Sequence, residues 1–354
     1  MKIVQVIDRL EVGGAERVLV DLTNLLHENQ YQVSVVCLLQ EGKLEEQLHP
    51  DIAVTYIRRE QKYHPKYLFR LYKELIKNDI IHVHLRQVLR YVSLLFYLKT
   101  LHKKRVVIFH DHFGEIAVDK AIGTSIKSAI KRCSAYIGVS NELVSWANTN
   151  QLNTNIFKLS NIIRSTPSQI KQESLENDTK IVAVGNFRPQ KNYEYLLELI
   201  QKSPETFKYT IYGQPVDKNY FETIRSKIQA LEISGRVEII TDSNDIKNEL
   251  YKYDIGIHTA TSETGPLSAI EYLGANIPYI SYNTGEVAEV VIKKFDCFIQ
   301  NNFNITNWLS SMDAILETKE VLQKEIPLFY KENFSEDGYL KSCVSLYKTL
   351  LNSK

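Results

Sequence analysis

The sequence predicts an α/β protein with two doubly wound, Rossmann-like domains, each built on a parallel sheet. Three observations predict this class. Strand and helix signals alternate in two separate series along the 354 residues. Most of the predicted strands are near-continuous β-branched or apolar runs, which are typical of buried parallel strands. A polar stretch at 165–179 separates the two series and has the composition of a linker.

The first series alternates six strands with helices. The strands are predicted at 2–7, 33–38, 54–57, 80–84, 105–110 and 135–139, and the helices at 15–27, 66–77, 87–101 and 125–133. In the helix at 66–77, the apolar positions Leu68, Leu71 and Leu75 follow the helical period. This alternation predicts the first domain at 1–168.

The second series repeats the pattern after the linker. Its strands are predicted at 180–184, 209–212, 237–240, 255–258 and 279–281, and its helices at 193–201, 219–231, 267–273 and 286–292. The second domain is therefore predicted at 169–335. Ligands of such sheets bind at the carboxyl ends of the strands, so two domains predict an active site in the cleft between them.

Composition excludes several classes of protein. With 44% hydrophobic and 24% charged residues, the chain has the composition of a globular protein. The four cysteines are scattered, which predicts neither a zinc site nor a disulfide framework and favours a reducing cytoplasm. No stretch approaches the roughly 18 apolar residues of a membrane span. A net charge of +1 without a recognised motif argues against nucleic acid.

Charge is unevenly distributed along the chain. Residues 1–165 carry a formal charge of +7 and the remainder −6, and the basic excess is densest between Arg58 and Arg105. Basic helices with exposed aromatic residues, here expected to be Tyr91, Phe96 and Tyr97, suit an anionic membrane surface. A solvated surface over an ordinary core is the alternative. The candidates for an acceptor or membrane side are Lys66, Arg70, Lys73, Arg86, Arg90 and His112.

The most informative segment is Ser262–Glu271. It places Glu263 in a loop, continues through a Gly265-Pro266 turn, and opens a helix that carries Glu271. Backbone N–H groups at a helix start suit a diphosphate, and carboxylates are strong acceptors for hydroxyl groups. An exposed acid and a first-turn acid favoured by the helix dipole are the alternative interpretation. Together these features fit a sugar nucleotide.

Arg188 and Lys191 supply the cationic counterpart. They follow a predicted strand and a turn at Gly185-Asn186, just before a helix. Two cations in this position can neutralise a diphosphate leaving group. Arg/Lys pairs are common on surfaces, so this interpretation depends on the Glu263 segment two or three strand–helix units later.

The first domain offers weaker signals. Gly13-Gly14 lets the backbone approach a phosphate but lacks the GxGxxG spacing of nicotinamide or flavin sites, and a purely structural turn is the alternative. His110 ends a strand and is predicted to hydrogen-bond a sugar hydroxyl or the reaction centre, with a structural role as the alternative. Adjacent strand residues point to opposite faces and no second ligand cluster is evident, so no metal is predicted. His82 and His84 are predicted to be structural.

With these motifs the chain resembles the GT-B-fold retaining glycosyltransferases of family 4 over nearly its full length. The resemblance implies that Arg188 and Lys191 bind and stabilise the donor diphosphate, Glu271 binds the ribose and Glu263 contacts the transferred sugar. His110 would contact the donor sugar near the reaction centre. The backbone around Gly265, Pro266, Leu267 and Ser268 would complete the anion site, and Gly13 and Gly14 would close over the phosphates.

The resemblance also implies that the final helix, at about 336–354, packs back onto the first domain. Two segments depart from the family pattern. Asn161-Ile162-Ile163-Arg164 replaces an Asn-Gly-hydrophobic-Asp turn, which weakens any contact assigned there. Thr264-Gly265-Pro266 replaces a Gly/Phe-rich loop, which bears on the sugar accepted.

The predicted function is transfer of a sugar from a nucleotide-diphosphate sugar, UDP rather than GDP, with retention of configuration. No metal or cofactor is predicted. The predicted acceptor is a glycan or lipid-linked glycan at the cytosolic face of the cell membrane, in bacterial surface-glycan synthesis. Two alternatives are a sugar-nucleotide 2-epimerase of similar architecture and a silent nucleotide-sugar-binding scaffold. The Glu263–Glu271 spacing favours transfer over epimerisation, and the four charged residues favour an active enzyme.

Overall fold

The computed structural model describes residues 1–61, 63–97, 101, 105–114, 116, 119–164, 178–243 and 246–353. The chain forms two compact units. The first comprises Met1–Ile162 together with Glu336–Lys354, and the second comprises Ile163–Ser335. The domain boundary predicted between 168 and 169 lies within 165–177, outside the described residues.

The first unit is built on a seven-stranded sheet of order β3-β2-β1-β4-β5-β6-β7, in which every neighbouring pair is parallel. Its strands are β1 (Lys2–Ile7), β2 (Gln32–Cys37), β3 (Ala53–Tyr56), β4 (Ile80–His84), β5 (Val106–Asp111), β6 (Ala135–Gly138) and β7 (Ile156–Lys158). Its helices are α1 (Gly14–Glu28), α2 (Pro65–Leu75), α3 (Arg86–Val92), α4 (Thr124–Arg132), α5 (Asn141–Thr149) and, from the C-terminus, α12 (Glu336–Asn352).

The second unit has a six-stranded parallel sheet of order β10-β9-β8-β11-β12-β13. Its strands are β8 (Thr179–Val184), β9 (Phe207–Tyr212), β10 (Val237–Ile240), β11 (Ile255–His258), β12 (Tyr279–Tyr282) and β13 (Ile299–Gln300). Its helices are α6 (Tyr193–Lys202), α7 (Lys218–Ala230), α8 (Leu267–Gly274), α9 (Gly285–Val291), α10 (Ile305–Glu317) and α11 (Lys319–Phe334).

The predicted fold class is confirmed, because both sheets are parallel and alternate with helices. The short strands β7 and β13 and the helix α5 were not predicted. They carry only two to nine residues each, too few for a clear periodic signal. In α5, Ser140 caps the N-terminus by accepting from the Leu143 N–H, a cap that the sequence does signal.

The helix predicted at 87–101 is wrong as a continuous element. Helix α3 ends at Val92 and a 3-10 turn follows over Ser93–Tyr97. The Ser93 hydroxyl donates to the Arg90 carbonyl at 2.8 Å, a local bond that competes with the helical pattern. Tyr91 and Phe96 are buried, so the expectation that they are exposed aromatics is also wrong. The Tyr97 side chain lies outside what the structure describes.

The C-terminal helix α12 packs within the first unit. Tyr347, fully buried, contacts His82 Nδ1 of the central strand β4 through its hydroxyl at 2.6 Å. A polar contact of this kind inside an apolar layer satisfies two buried groups at once. The C-terminal segment is therefore part of the core that supports the carboxyl ends of β4 and β5.

Candidate active site

The site in the second unit is assembled from the loops that follow β8, β11 and β12. The first of these loops turns at Gly185, where a Cβ would lie 2.9 Å from Lys191 Cε and 3.1 Å from the Tyr193 hydroxyl. Glycine therefore leaves room for the aliphatic stem of Lys191 to cross the end of the strand. The Tyr193 hydroxyl donates to the Gly185 carbonyl at 2.5 Å and fixes this turn.

Lys191 is held by backbone contacts on two loops. A 3-10 turn spans Pro189–Lys191, and Asn192 in a left-handed conformation at φ 52° leads into α6. The Thr259 hydroxyl donates to the Lys191 carbonyl at 2.8 Å, and the Thr261 N–H donates to the Gln190 carbonyl at 2.9 Å. The loops after β8 and β11 are thereby joined, which brings Lys191 to the residues that follow β11.

The ammonium group of Lys191 forms an ion pair with the Glu263 carboxylate. The Nζ to Oε1 distance is 2.5 Å, and the two side chains are only 18% and 19% exposed. Burial acts to raise the pKa of Glu263, but the Lys191 charge and the neighbouring His258 outweigh it and lower this pKa to about 2. The pair is therefore a partly buried ion pair of ammonium and carboxylate at neutral pH.

The loop after β12 supports Glu263 from the other side. The Glu263 N–H donates to the Thr284 hydroxyl at 3.1 Å, and the Glu286 N–H donates to the Thr264 carbonyl at 2.9 Å. Gly285 has φ +76°, and a Cβ there would lie 2.9 Å from the Glu263 carbonyl oxygen. Only glycine tolerates both the conformation and the contact, so Gly285 allows the loop after β12 to pack closely against the Glu263 loop.

Helix α8 begins directly after this loop. Pro266 is its N-cap residue and no side chain among the described residues caps the helix, which leaves the N-terminal dipole available to an anion. Ser268 and Glu271, in the first two turns, are both buried. As the motif predicts, a short turn and the start of α8 follow Glu263 directly. They contain Gly265, Pro266, Leu267, Ser268 and Glu271.

Arg188 differs from Lys191 in its surroundings. Its side chain is exposed, and it forms no ion pair within the described part of the chain. It directly precedes the 3-10 turn that carries Lys191. An exposed guanidinium beside a lysine at the mouth of a strand is suited to bidentate recognition of a phosphate group.

His258 is a site residue that the sequence reasoning missed. It is the last residue of β11 and is buried, with its Nε2 atom 3.8 Å from Glu263 Oε1. Neither ring nitrogen has a hydrogen-bond partner among the described residues, and burial lowers the pKa of this imidazole. Its position at the carboxyl end of a buried strand was the available signal, because side chains there face the ligand edge of the sheet.

In the first unit, Gly13 and Gly14 begin helix α1. Gly13 is the N-cap residue in extended conformation, with no side-chain cap. The Glu16 carboxylate lies against the position that a Gly13 Cβ would take. An anion approaching this helix start would therefore displace Glu16 first.

His110 belongs to a cluster of four histidines on β4, β5 and the residue after β5, of which His82, His84 and His110 are buried and His112 is half-buried. His84 bridges the cluster, with Nδ1 3.0 Å from His112 Nε2 and Nε2 2.9 Å from Gln5 Oε1. The His110 ring stacks against His82 and contacts the His112 ring at a tilt of 37°, and neither of its ring nitrogens makes a hydrogen bond of normal geometry with the described residues. Asp111 points to the other face, as strand alternation requires.

This cluster corrects the prediction that no second group of ligands lies near His110. Ring nitrogens of His82, His84 and His110 lie within 4.8 Å of one another. Two of the three ring pairs are stacked, however, at 23° for His82 and His84 and 19° for His82 and His110, while His84 and His110 are tilted at 42°. In-plane lone pairs of stacked rings run side by side, whereas a tetrahedral ion requires them to converge.

The four histidines are electrically neutral in this environment. Burial lowers the pKa of His82 and of His112 to about 3. Burial also lowers the pKa of His84 and of His110 well below the usual range, with the neighbouring histidines adding to the effect. A neutral imidazole with open nitrogens, such as His110, can donate or accept a hydrogen bond without bringing charge to the site.

The basic residues predicted for an acceptor or membrane side divide into two groups. Exposed side chains belong to Lys66, Arg70, Lys73 and Arg90. Arg86 is only 16% exposed and pairs with buried Asp111 at 2.8 Å, with its guanidinium over the rings of Phe113 and Trp146. His112 is bonded to His84. Arg86 and His112 are therefore held by internal contacts.

An exposed patch on and before α2 combines aromatic and basic residues. Tyr63 is 68% exposed and Phe69 59% exposed, and the Lys73 ammonium lies 4.5 Å from the Phe69 ring centroid. None of the helices in the described part of the chain has both the length and the apolar character needed to traverse a bilayer.

Comparison with known proteins agrees with this architecture. Residues 12–154 match the family Glycosyltransferase Family 4, and residues 165–327 match Glycosyl transferases group 1. An uncharacterised glycosyltransferase of Haemophilus influenzae is 28% identical over 177 residues, and a Caenorhabditis elegans GDP-Man:Man(3)GlcNAc(2)-PP-Dol alpha-1,2-mannosyltransferase is 26% identical over 149 residues. These matches cover 47% and 38% of this chain, and 48% and 32% of the two relatives.

Solved structures share the fold at low identity. Anabaena HepE in complex with UDP-glucose superposes with a TM-score of 0.79 at 14% identity, covering 99% of this chain and 100% of that one. Sucrose-phosphate synthase from Thermosynechococcus elongatus gives a TM-score of 0.77 at 13% identity and covers both chains fully. The two parallel-sheet units thus have the GT-B fold. Together, the family matches over 12–154 and 165–327 identify the chain as a glycosyltransferase of the family 4 type.

Proposed function

We propose that the protein transfers a sugar from a UDP-sugar to a hydroxyl group of a glycan or lipid-linked glycan, with retention of anomeric configuration. The Lys191–Glu263 ion pair beside the uncapped N-terminus of α8 is the observation that supports this most directly. It combines a cation for a diphosphate, a carboxylate for sugar hydroxyls and a helix dipole in one unit. HepE, which shares the fold, was crystallised with UDP-glucose.

In this proposal each residue has a separate role. Lys191 and Arg188 neutralise the diphosphate as it leaves, and the N-terminus of α8 adds the dipole of its first N–H groups. Glu271 accepts hydrogen bonds from the ribose, and Glu263 orients the transferred sugar. His110 offers a neutral hydrogen-bonding group to the donor sugar. The acceptor hydroxyl attacks on the face from which the diphosphate departs.

Positive charge from Arg188, Lys191 and α8 is the reason for proposing that no metal is needed. The test is transfer from UDP-sugars in buffer containing EDTA, with proton NMR of the anomeric position in the product. Retained configuration and full activity in EDTA are the expected results. Activity restored only by added Mg²⁺ or Mn²⁺, or an inverted product, would contradict this part of the proposal.

The base of the donor is a separate question. The mannosyltransferase relative has a GDP-sugar in its name, which makes GDP the second candidate. Thermal stabilisation by UDP, GDP and their sugars separates the two, because a ligand that binds only the folded state raises the melting temperature. We expect the larger shift with UDP, and a larger shift with GDP would reassign the base. Release of free UDP with an epimerised sugar, without acceptor, would favour the epimerase alternative.

We also propose that the patch formed by Tyr63, Phe69, Lys66, Arg70 and Lys73 contacts anionic lipid and brings the enzyme to a lipid-linked acceptor at the cytosolic membrane face. Exposed aromatic rings beside lysine and arginine suit the interface of an anionic bilayer. The test is cosedimentation with vesicles containing phosphatidylglycerol and with neutral vesicles. Binding to neither kind would leave the patch as a solvated surface.

A further inference from the structure

His258 is the only histidine in the sequence of the second unit, and its ring lies near Glu263. Its side chain is 3% exposed, and its Nε2 atom lies 3.8 Å from Glu263 Oε1. This separation is too long for a hydrogen bond, whose N···O distance is about 2.7–3.2 Å. A buried imidazole with both nitrogens unpartnered is unusual, because buried polar groups are almost always hydrogen-bonded.

The partner of the Glu263 carboxylate is Lys191. Lys191 Nζ lies 2.5 Å from the same Oε1 atom that His258 faces. In this pair the two opposite charges neutralise each other. Diphosphate carries more negative charge than one carboxylate and would compete for the ammonium group. Donor binding would then leave a carboxylate that is only 19% exposed without its cation, which is unfavourable.

We propose that His258 is a positioning residue that takes over Glu263 when the donor diphosphate draws Lys191 away. A movement of about 1 Å would bring the Nε2–H group within hydrogen-bonding distance of Oε1. Glu263 would then keep its orientation toward the donor sugar while Lys191 serves the phosphates. This inference rests on the proposed function, because it requires a nucleotide-diphosphate ligand.

The surroundings of His258 agree with such an exchange. The loop bearing Glu263 is fixed by the Thr284 hydroxyl and by Gly285, so its backbone does not follow Lys191. The Lys191 backbone is fixed by Thr259, which leaves its flexible side chain as the part that moves. His258 stands at the end of a buried strand whose backbone is paired on both sides. The movement of about 1 Å between His258 and Glu263 is therefore expected in the side chains and not in the backbone.

The experiment is a double-mutant cycle on UDP affinity, measured by calorimetry with UDP as the probe. His258→Leu is expected to weaken UDP binding about tenfold in the natural background. In the Glu263→Gln background, where no buried carboxylate needs a partner, the same change is expected to alter affinity by less than about twofold. A loss of similar size in both backgrounds would show that His258 only packs there, and would overturn the inference.

Two conservative variants guard against misfolding of His258→Leu. The amide nitrogen of His258→Gln reaches roughly the Nε2 position, so this variant should bind UDP within about threefold of the natural protein. His258→Asn places its amide near the Nδ1 position and should lose affinity like leucine. Equal behaviour of Gln and Asn would also overturn the inference. Tyr279→Phe, a buried change on the neighbouring strand, is the matched control and should leave UDP binding unaltered.

The outcomes separate this inference from the proposed function. If the natural protein binds UDP but the cycle shows no coupling between His258 and Glu263, the proposed function stands and His258 has no positioning role. If the natural protein binds neither UDP nor GDP, the donor-site assignment fails and the inference fails with it.

Discussion

Lys191 Nζ lies 2.5 Å from Glu263 Oε1, although 72 residues separate them in the chain. The contact joins the loop after β8 to the loop after β11. In the proposed reaction these two groups have different targets, the diphosphate and the sugar. A donor that binds Lys191 would therefore compete with Glu263 for its ammonium group, and this has a measurable consequence.

The first prediction concerns Glu263→Gln. Removing the carboxylate releases Lys191 from its competitor, so UDP is expected to bind about two- to fivefold more tightly. Sugar transfer should fall by about 100-fold or more, because a group aimed at the reacting sugar is lost. Calorimetry with UDP and a transfer assay measure the two effects. Glu222→Gln, an exposed acid on α7, is the control and should change neither.

The second prediction concerns Arg188→Ala. Since Arg188 is exposed and unpaired among the described residues, its loss should leave the melting temperature unchanged. UDP affinity should fall about tenfold, which corresponds to about 1.4 kcal/mol for one charge-assisted phosphate contact. Arg225→Ala, an exposed arginine of the same unit paired only with Glu222, is the matched control. Equal effects of the two variants would mean nonspecific attraction.

The third prediction concerns Gly285→Ala. With φ +76° and a Cβ that would lie 2.9 Å from the Glu263 carbonyl, alanine should cost about 1–2 kcal/mol of stability and shift the Glu263 loop. Urea unfolding and UDP affinity should both be impaired. Gly235→Ala meets no atom within 4 Å and should stay within about 0.5 kcal/mol. A neutral Gly285→Ala would refute the role given to this turn.

The fourth prediction concerns Glu271. If its carboxylate binds the ribose hydroxyls, Glu271→Ala should weaken UDP about tenfold but change the affinity for 2′,3′-dideoxy-UDP by less than twofold. Because Glu271 is buried, a melting curve of each variant is needed to show that the fold is kept. An equal loss for both ligands would show that Glu271 supports α8 and not the ribose.

The fifth prediction concerns pH. The folded state lowers the pKa of His82 and His112 from 6.5 to about 3, so unfolded chains bind more protons than folded ones between these values. Stability should therefore be constant above about pH 6.5 and fall as pH decreases below it, by up to about 1.4 kcal/mol per pH unit for each histidine. Protonation of Glu263 lowers the stability further only below pH 4.5.

Urea unfolding between pH 7.5 and pH 5 tests this dependence without involving Glu263. His112→Asn should show a shallower slope, because one fewer neutral histidine must be protonated on unfolding. An identical slope for the variant and the natural protein would mean that His112 titrates alike in both states.

By itself the sequence determined the two strand–helix series and the parallel sheets, and it predicted Arg188, Lys191, Glu263 and Glu271 as donor-side residues. These are local signals, since apolar runs, turns and helix starts depend on neighbouring residues. Short elements such as β7 and β13 were missed because they are defined by pairing with strands already in place. The break after α3 coincides with the Ser93–Arg90 side-chain bond, which a periodic pattern does not reveal.

Only the tertiary structure decided how distant residues meet. It paired Lys191 with Glu263, placed His258 next to that pair, and brought buried His82, His84 and His110 together with half-buried His112 in one cluster. It also showed that Tyr91 and Phe96 are core residues and that Arg86 is held by Asp111. Parallel sheets bring the carboxyl ends of non-consecutive strands to one edge, so such contacts follow from strand order and not from spacing along the chain.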